Sequence, residues 1–453
     1  MTRNQLLDPR DGSQTWSEVW DKVKTKKQIA VFPEPGAVGP LMNLIGIAQG
    51  LRDLGHECTF VIDPGLAGTA VKYGFKESHL SCMEPMSPEQ SAKFWDDFML
   101  QYIPSFKTSP YDQISTYVKG CWEAIVDTSK WSVRNGLAES FRSIGPDLII
   151  NDNVALYPDT QTAGCPWVRM ISCSENEITD PDIPPHLSGC GEHDREGFER
   201  YRARFEEIAK PIHDDFMDFI EACGQGRLSF PEFVLPSPYL NLLLCPEPLR
   251  YTRRYPLDPE KFVYLNGCVR SESEEYEVPS FRENNDAPLI YFSFGSLGVT
   301  DVDLIKRMIG VLGKAPYRVL VNVGDYLDQY DEPPGNVHLA SWFPQPAVLP
   351  HCEVVIQHGG NNSLNETLYF GKAPLVMPFV WDGHDNATRV NDTGHGIGMH
   401  RYDWTDDELL DNIERLRTDP AIQARLAEAS RTMQKQDGRM TAAHSIDRLL
   451  SRV

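Results

Sequence analysis

Short apolar runs alternate with amphipathic stretches along most of the chain, and the alternation has a grammar. Gln28 to Pro33 is an apolar run that ends in a Pro/Gly loop, Pro33 to Pro40. A helical period follows from Leu41 to Leu54, closed by Gly55, and a second apolar run covers Cys58 to Ile62. Strand, loop, helix and strand in that order predict a βαβ unit, hence a parallel sheet with a right-handed crossover. The same order returns in the strand Asp147 to Asn151, the helical Ala155 to Ala163 and the strand Trp167 to Ser172. An amphipathic helix is predicted over Gly191 to Gly224, broken at Gly224 to Arg227, before another apolar run at Tyr239 to Cys245. Met83 to Trp131 is rich in aromatic residues, with Phe94, Trp95, Phe98, Met99 and Tyr102 at helix-like spacing. Most of these read as core, and some as the lining of an apolar pocket.

Arg270 to Pro288 is acidic, polar and aperiodic, and is read as a linker. Beyond it the alternation restarts: strand Leu289 to Phe294 into Gly295-Ser296, helix Asp301 to Leu312, and strands Tyr317 to Val323 and Val354 to Gln357. The C-terminal Asp407 to Val453 is helical, and caps the sheet or crosses back to the first domain. The expected architecture is α/β, two Rossmann-like domains whose parallel sheets face an interdomain cleft. The expected boundaries are a polar extension over 1–27, a first domain over 28–269, a linker over 270–288, a second domain over 289–435 and a last helix over 436–453.

A length of 453 residues suits two domains, and 41% hydrophobic with 24% charged residues is ordinary for a globular protein. The net charge of −22 argues against a nucleic-acid partner, because phosphate backbones demand a basic surface. An anionic ligand would need a locally positive site. Met1 to Lys27 has no apolar core of a leader peptide, and no run of 18 apolar residues occurs, so integral membrane association is not expected. Ten scattered cysteines without a CxxC pair read as reduced thiols of a cytoplasmic protein.

The chemistry concentrates between Ser341 and Val390. The strand Val354-Val355-Ile356 ends at His358-Gly359-Gly360, and Asn361-Asn362-Ser363 opens a helix. A Gly-rich turn into a helix N-terminus offers free N–H groups and the positive end of a dipole, which suits a phosphate. Ser363 with Glu366 three residues on also has the form of a capping box, and taken alone the pair reads that way.

This block resembles the donor signature of the UDP-dependent glycosyltransferases, glycosyltransferase family 1. Trp342, Pro344 and Gln345 match its first part. His358, Gly360, Asn362, Ser363 and Glu366 match its centre, and Gly371, Pro374, Pro378, Asp382, Asn386 and Ala387 follow in order. The resemblance implies the GT-B fold and a role for each site residue. Trp342 would stack on the uracil ring, the alternative being a core tryptophan. Gln345 and Glu366 would bind the base edge or ribose. His358, Asn362, Ser363 and the Gly360 backbone would hold the pyrophosphate, faced by Ser296. Asp382 would bind sugar hydroxyls. Gly383 stands where the family has Gln, which leaves the sugar open, and His384 and Asp385 read as loop residues rather than replacements.

In the first domain the family's loop and helix end are matched by Gly36-Ala37-Val38-Gly39-Pro40 and Gly55-His56. Ala37 occupies the position of the family's catalytic His, the general base. Asp152 is matched to the Asp that orients it, the alternative being an Asp that caps the next helix. Two readings of Ala37 stand. One is a His-to-Ala substitution that holds substrates unreacted, favoured because the neighbouring motif positions are intact. The other is a natural variant with another base or a more acidic acceptor.

The function implied is inverting transfer of a hexose, with glucose as the expected sugar, from a UDP-sugar to a hydroxyl of a small, partly apolar acceptor. The UDP-sugar is a co-substrate, and no cofactor or metal is expected, because no Asp-x-Asp pair lies near the donor motif. The alternatives are a catalytically dead homologue that binds a nucleotide sugar or a hydrophobic ligand, and a GT-B sugar-nucleotide epimerase.

Overall fold

The computed structural model describes residues 26–84, 88–272 and 275–452, with only the backbone at 88–89 and 91–96. Residues 1–25 of the polar extension and the side chains of Phe94 and Trp95 therefore lie outside the described residues.

The first sheet has seven strands: β1 (Gln28–Pro33), β2 (Glu57–Ile62), β3 (Lys76–His79), β4 (Leu148–Asp152), β5 (Trp167–Ile171), β6 (Leu240–Leu244) and β7 (Phe262–Leu265). Their order is β3-β2-β1-β4-β5-β6-β7, with every pair parallel. The second sheet has six: β8 (Leu289–Ser293), β9 (Arg318–Asn322), β10 (Val337–Ala340), β11 (Val354–Gln357), β12 (Ala373–Val376) and β13 (Ile397–Gly398). These are also all parallel, in the order β10-β9-β8-β11-β12-β13. The central strands are buried along their whole length, which explains why they read as continuous apolar runs rather than alternating ones. The short strands β3 and β13 were not anticipated: β3 has no buried residue and a polar sequence, and β13 has two residues.

The helices that position the site are α1 (Val38–Asp53), α2 (Pro88–Phe106), α3 (Lys119–Asn135), α4 (Arg195–Ala222), α5 (Val302–Leu312), α6 (Asn361–Tyr369), α7 (Gly383–Thr393), α8 (Asp406–Thr418), α9 (Pro420–Lys435) and α10 (Gly438–Leu450). Helix α10 returns to the first domain, where Ala442, Ala443 and Ile446 join the core beneath α1. The close approach is possible because α1 carries Gly50, whose Cα faces Ala443 and the Arg439 carbonyl. An aromatic layer built by α2, the helical turn Ile114–Val118, α3 and α4 (Phe106, Tyr117, Trp122, Phe216) packs against Phe379, Val380 and Trp381 of the second domain. No helix among the described residues is long and apolar enough to cross a membrane.

Strand order reverses between β1 and β4 in one sheet and between β8 and β11 in the other. In open parallel sheets the crevice at such a reversal, outside the carboxyl ends of the strands, is where ligands bind. The residues that follow those four strands are therefore the place to look.

Candidate functional site

On the first sheet, Pro33 at the end of β1 pairs with Asp152 at the end of β4. Glu34 follows Pro33, and its carboxylate accepts from the Val154 N–H (3.0 Å) and the Tyr157 hydroxyl (3.3 Å). Burial pushes this carboxyl up to about 7. Ala37 is the N-cap residue of α1 and has no side-chain cap to offer. Asp152 is buried; its Oδ1 accepts from the Ser172 N–H at 3.3 Å, and its Oδ2 has no partner. Burial, with the Glu177 and Glu34 carboxylates adding to it, pushes Asp152 up to about 8. The helix-cap alternative for Asp152 fails. The next helix begins at Pro158, its N-cap is Tyr157, and no side chain caps it.

On the second sheet, the turn after β8 carries Gly295 and Ser296, and the turn after β11 carries His358, Gly359 and Gly360. Gly295 has φ of 73°, and a Cβ there would lie 2.5 Å from His358 Cε1. The two turns touch, and only glycine permits it. Gly359 has φ of 92° and would meet Val376. Burial, with Arg401 nearby, lowers His358 to about 4, so the ring is neutral, and its Nδ1 has no protein partner. Ser296 is exposed beside it.

Helix α6 starts at Asn361 with Gly360 as its N-cap, so Ser363 is its third residue and not the cap. The capping-box reading of Ser363 and Glu366 is thus corrected: a cap must precede the first turn, and here the chain has already turned. Glu366 instead points inward, where it accepts from Gln345 Nε2 (2.6 Å), Arg270 Nη1 (2.7 Å) and Asn362 Nδ2 (3.4 Å). Gln345 also donates to Ser363 Oγ at 3.2 Å. Trp342 is 58% exposed, which rules out the core alternative; its neighbour Phe343 is the core residue.

Asp382 is buried, and its Oδ2 accepts from the Asn361 N–H (2.6 Å) and Asn386 Nδ2 (3.4 Å). Burial pushes it up to about 8. Asp382, Ser363, Gly360 and His358 are therefore gathered round one helix end. His384 and Asp385 are not loop residues but belong to the first turn of α7. Asp385 is committed elsewhere, accepting from the Leu187 N–H (2.7 Å) and the Gly189 N–H (2.8 Å) of the other domain. Both its oxygens being engaged there, Asp385 does not replace the missing Gln contact. Gly383 stays bare because its Cα lies against the His358 carbonyl.

Several residues of the cleft were not singled out from sequence. Asn361 donates from Nδ2 to the Ser172 and Leu244 carbonyls, both at 2.8 Å, joining the helix end to the first domain. Arg270 links Tyr73, Glu272 and Glu366. Arg389 holds the Leu249 carbonyl, the Arg250 carbonyl and Glu192. Arg401 is stacked between Phe294 and Phe379. Asn361 lies inside the turn that opens α6 and the three arginines match no motif position, and in each case nothing local in the sequence names the partner. Beside the Gln345 helix a cavity of about 400 Å³ opens, lined by Arg270, Glu272, Tyr276, Pro346, Ala347 and Phe370. No group of three or more metal-binding side chains occurs among the described residues.

A family model described as the C-terminal domain of erythromycin biosynthesis protein CIII-like proteins matches residues 308–440, which include most of the donor-side turn and helix. NDP-glycosyltransferase YjiC of Bacillus subtilis is 23% identical over 326 residues, covering 71% of this chain and 77% of that protein. Demethyllactenocin mycarosyltransferase of Streptomyces fradiae is 24% identical over 426 residues, 93% of this chain and 86% of that protein. Among solved structures, glycosyltransferase VinC in complex with dTDP superposes with a TM-score of 0.63 at 18% identity, covering 94% of this chain and 100% of that one.

Proposed function

The chain belongs to the family 1 glycosyltransferases of GT-B fold, and from that premise we propose that it transfers a hexose from a UDP-sugar, with inversion, to a hydroxyl of a small, partly apolar acceptor. The observation that carries the donor half is the contact between the Gly295 turn and His358 at the strand-order reversal, directly before the N-terminus of α6. The N–H groups of the first turn of α6 beyond Asn361, the helix dipole and a neutral imidazole with a free nitrogen would stabilise the charge that develops on a leaving nucleoside diphosphate. Trp342, exposed on the segment that carries Gln345, offers a ring for the base, and Gln345 with Glu366 offers polar groups for the base edge or ribose. The aromatic layer facing Phe379 to Trp381 supplies an apolar acceptor side.

A second donor reading is favoured by Glu366. Both its oxygens are engaged by Arg270, Gln345 and Asn362, so a ribose 2′-hydroxyl is not needed to satisfy it. A deoxyribose donor, a dTDP-sugar, would then be accepted as well as a UDP-sugar. Glucose is the expected sugar, and Gly383 removes one of the contacts that would enforce it.

Thermal shift with UDP, dTDP, UDP-glucose and dTDP-glucose tests the donor side, followed by transfer assays against phenolic and aliphatic alcohols. No shift with any nucleotide at millimolar concentration would sink the donor reading. A chain disabled by a His-to-Ala change at 37 binds donor without turnover and gains transfer in Ala37→His, by ~100- to 10,000-fold for a restored base. A parent that already transfers removes that reading.

A further inference from the structure

Proton transfer from an acceptor needs a base, and residue 37 has only a methyl group. The adjacent carboxyls are poorly placed to substitute. Both oxygens of Glu34 already accept hydrogen bonds. Asp152 is pushed up to about 8 by burial, so at neutral pH it holds the proton that a base must be ready to take.

One imidazole in the cleft has no assigned task. His186 lies on the loop between β5 and α4, beyond the carboxyl end of the first sheet. Among the described histidines it alone has both ring nitrogens buried and unpartnered. Buried polar atoms without partners are rare in folded proteins, and a ring left with two calls for a ligand that supplies them. The ring packs edge-on to Trp381, centroids 6.0 Å apart at 87°, and Trp381 immediately precedes Asp382. Trp381 holds φ of 54°, a conformation disfavoured for a bulky residue and kept here by its packing against His186 and Trp122.

The second domain also fixes the loop that carries His186. Asp385 accepts from the N–H groups of Leu187 and Gly189, and the Thr388 hydroxyl donates to the Gly189 carbonyl at 2.8 Å. The same Asp385 carboxylate stands 3.9 Å from His186 Nδ1. At 3.9 Å this is beyond a hydrogen bond, and burial pushes Asp385 itself up to about 7, so Asp385 positions the ring through the Leu187 and Gly189 backbone that it holds. Burial, with the Arg169 guanidinium adding to it, lowers the ring to about 3, so it is neutral in the free protein, and the negative charge of a bound diphosphate is what would raise its affinity for a proton.

We propose that His186 is the base of the transfer reaction in this chain, with Asp385 as its positioning residue. The proposal rests on the glycosyltransferase reading above. The acceptor oxygen forms a bond to the anomeric carbon while its proton passes to His186 Nε2. The bond from that carbon to the diphosphate oxygen breaks, and its electron pair leaves with the nucleoside diphosphate. The proton is released to solvent once product departs.

The test compares the parent with His186→Gln, His186→Gly and Asp152→Asn, using UDP-glucose and dTDP-glucose with 4-methylumbelliferone, an acidic phenol, and 2-phenylethanol, an ordinary alcohol. His186→Gln should lower kcat by ~100- to 10,000-fold with the alcohol and less with the phenol, which needs less help to lose its proton. The KM for donor and the melting shift with UDP should stay at parental values. Added imidazole should restore part of the rate in His186→Gly and none in Asp152→Asn. A His186→Gln enzyme with parental kcat on the alcohol overturns the proposal, as does a larger, unrescued loss in Asp152→Asn. If His186→Gly does not fold, judged by its melting curve, His186→Gln decides alone. A parent that binds UDP or dTDP yet glycosylates neither acceptor also overturns it. Absence of nucleotide binding defeats the donor reading instead.

Discussion

Two residues of the donor side show how exposure and burial assign roles that identity alone leaves open. Trp342 presents its ring to solvent, so it contributes little to folding. Trp342→Ala should leave the melting temperature nearly unchanged and lower nucleotide affinity by ~1–3 kcal/mol, the worth of stacking a base on an aromatic ring. Calorimetric titration with UDP checks both, and equal affinity in parent and variant would deny the stacking role. His358 is the opposite case, buried with a free nitrogen. His358→Ala should weaken UDP by ~1.5–3 kcal/mol, as expected for a hydrogen bond to a charged group.

Asp152 carries a stability signature of its own. Its folded value of about 8 stands far above the ~3.9 of an unfolded Asp. Between those two values the folded chain keeps a proton that the unfolded chain has lost, so this group's contribution to stability is full below ~4 and falls as pH rises through ~8. Asp152→Asn keeps the acceptor for the Ser172 N–H and carries no titrating proton. Its melting temperature should therefore exceed the parent's at pH ~8.5, and the gap should narrow steadily as pH falls towards ~4. Melting curves that stay parallel across that range would show that burial of this carboxyl is not felt.

At the scale of an element, helix α6 combines two tasks. Its first residue ties the helix end to the first domain through two carbonyls, and its first turn carries Asn362 and Ser363, the residues proposed to hold the diphosphate. Asn361→Ala leaves the Ser172 and Leu244 carbonyls buried without that donor. The expected cost is ~1–3 kcal/mol for each group left unsatisfied, read as a lower denaturation midpoint. A midpoint equal to the parent's would mean that water replaces the side chain. Helix α10 is held to α1 by small residues, and Ile446→Ala should cost ~2–5 kcal/mol because the side chain is fully enclosed between the two.

At the scale of the molecule, the cleft is formed only when the domains meet. Asn361, Asp385 and Arg389 of the second domain all donate to or accept from backbone of the first. A nucleotide held at the α6 end should stabilise the whole assembly, by ~2.7 kcal/mol when it is present at 100 times its dissociation constant. If Glu366 demands no ribose hydroxyl, UDP and dTDP should shift the melting temperature to similar extents; a shift confined to UDP would restore the ribose contact to Glu366.

The local signals in the chain determined the architecture class and the donor-side elements. Buried parallel strands must be continuously apolar, and a strand that stops at His-Gly-Gly before an Asn/Ser-rich helix start can be read without neighbours. The same local logic left a cap open as an alternative for Ser363 and read His384 and Asp385 as loop residues, since a helix boundary depends on where the backbone turns and shifts by a residue or two without changing the pattern. Which groups face one another was decided only in three dimensions. Glu366 meets Arg270 across 96 positions, and His186 meets Asp385 across 199. No periodicity reports such pairings, because burial and charge at a cleft come from residues of two different sheets that lie far apart in sequence.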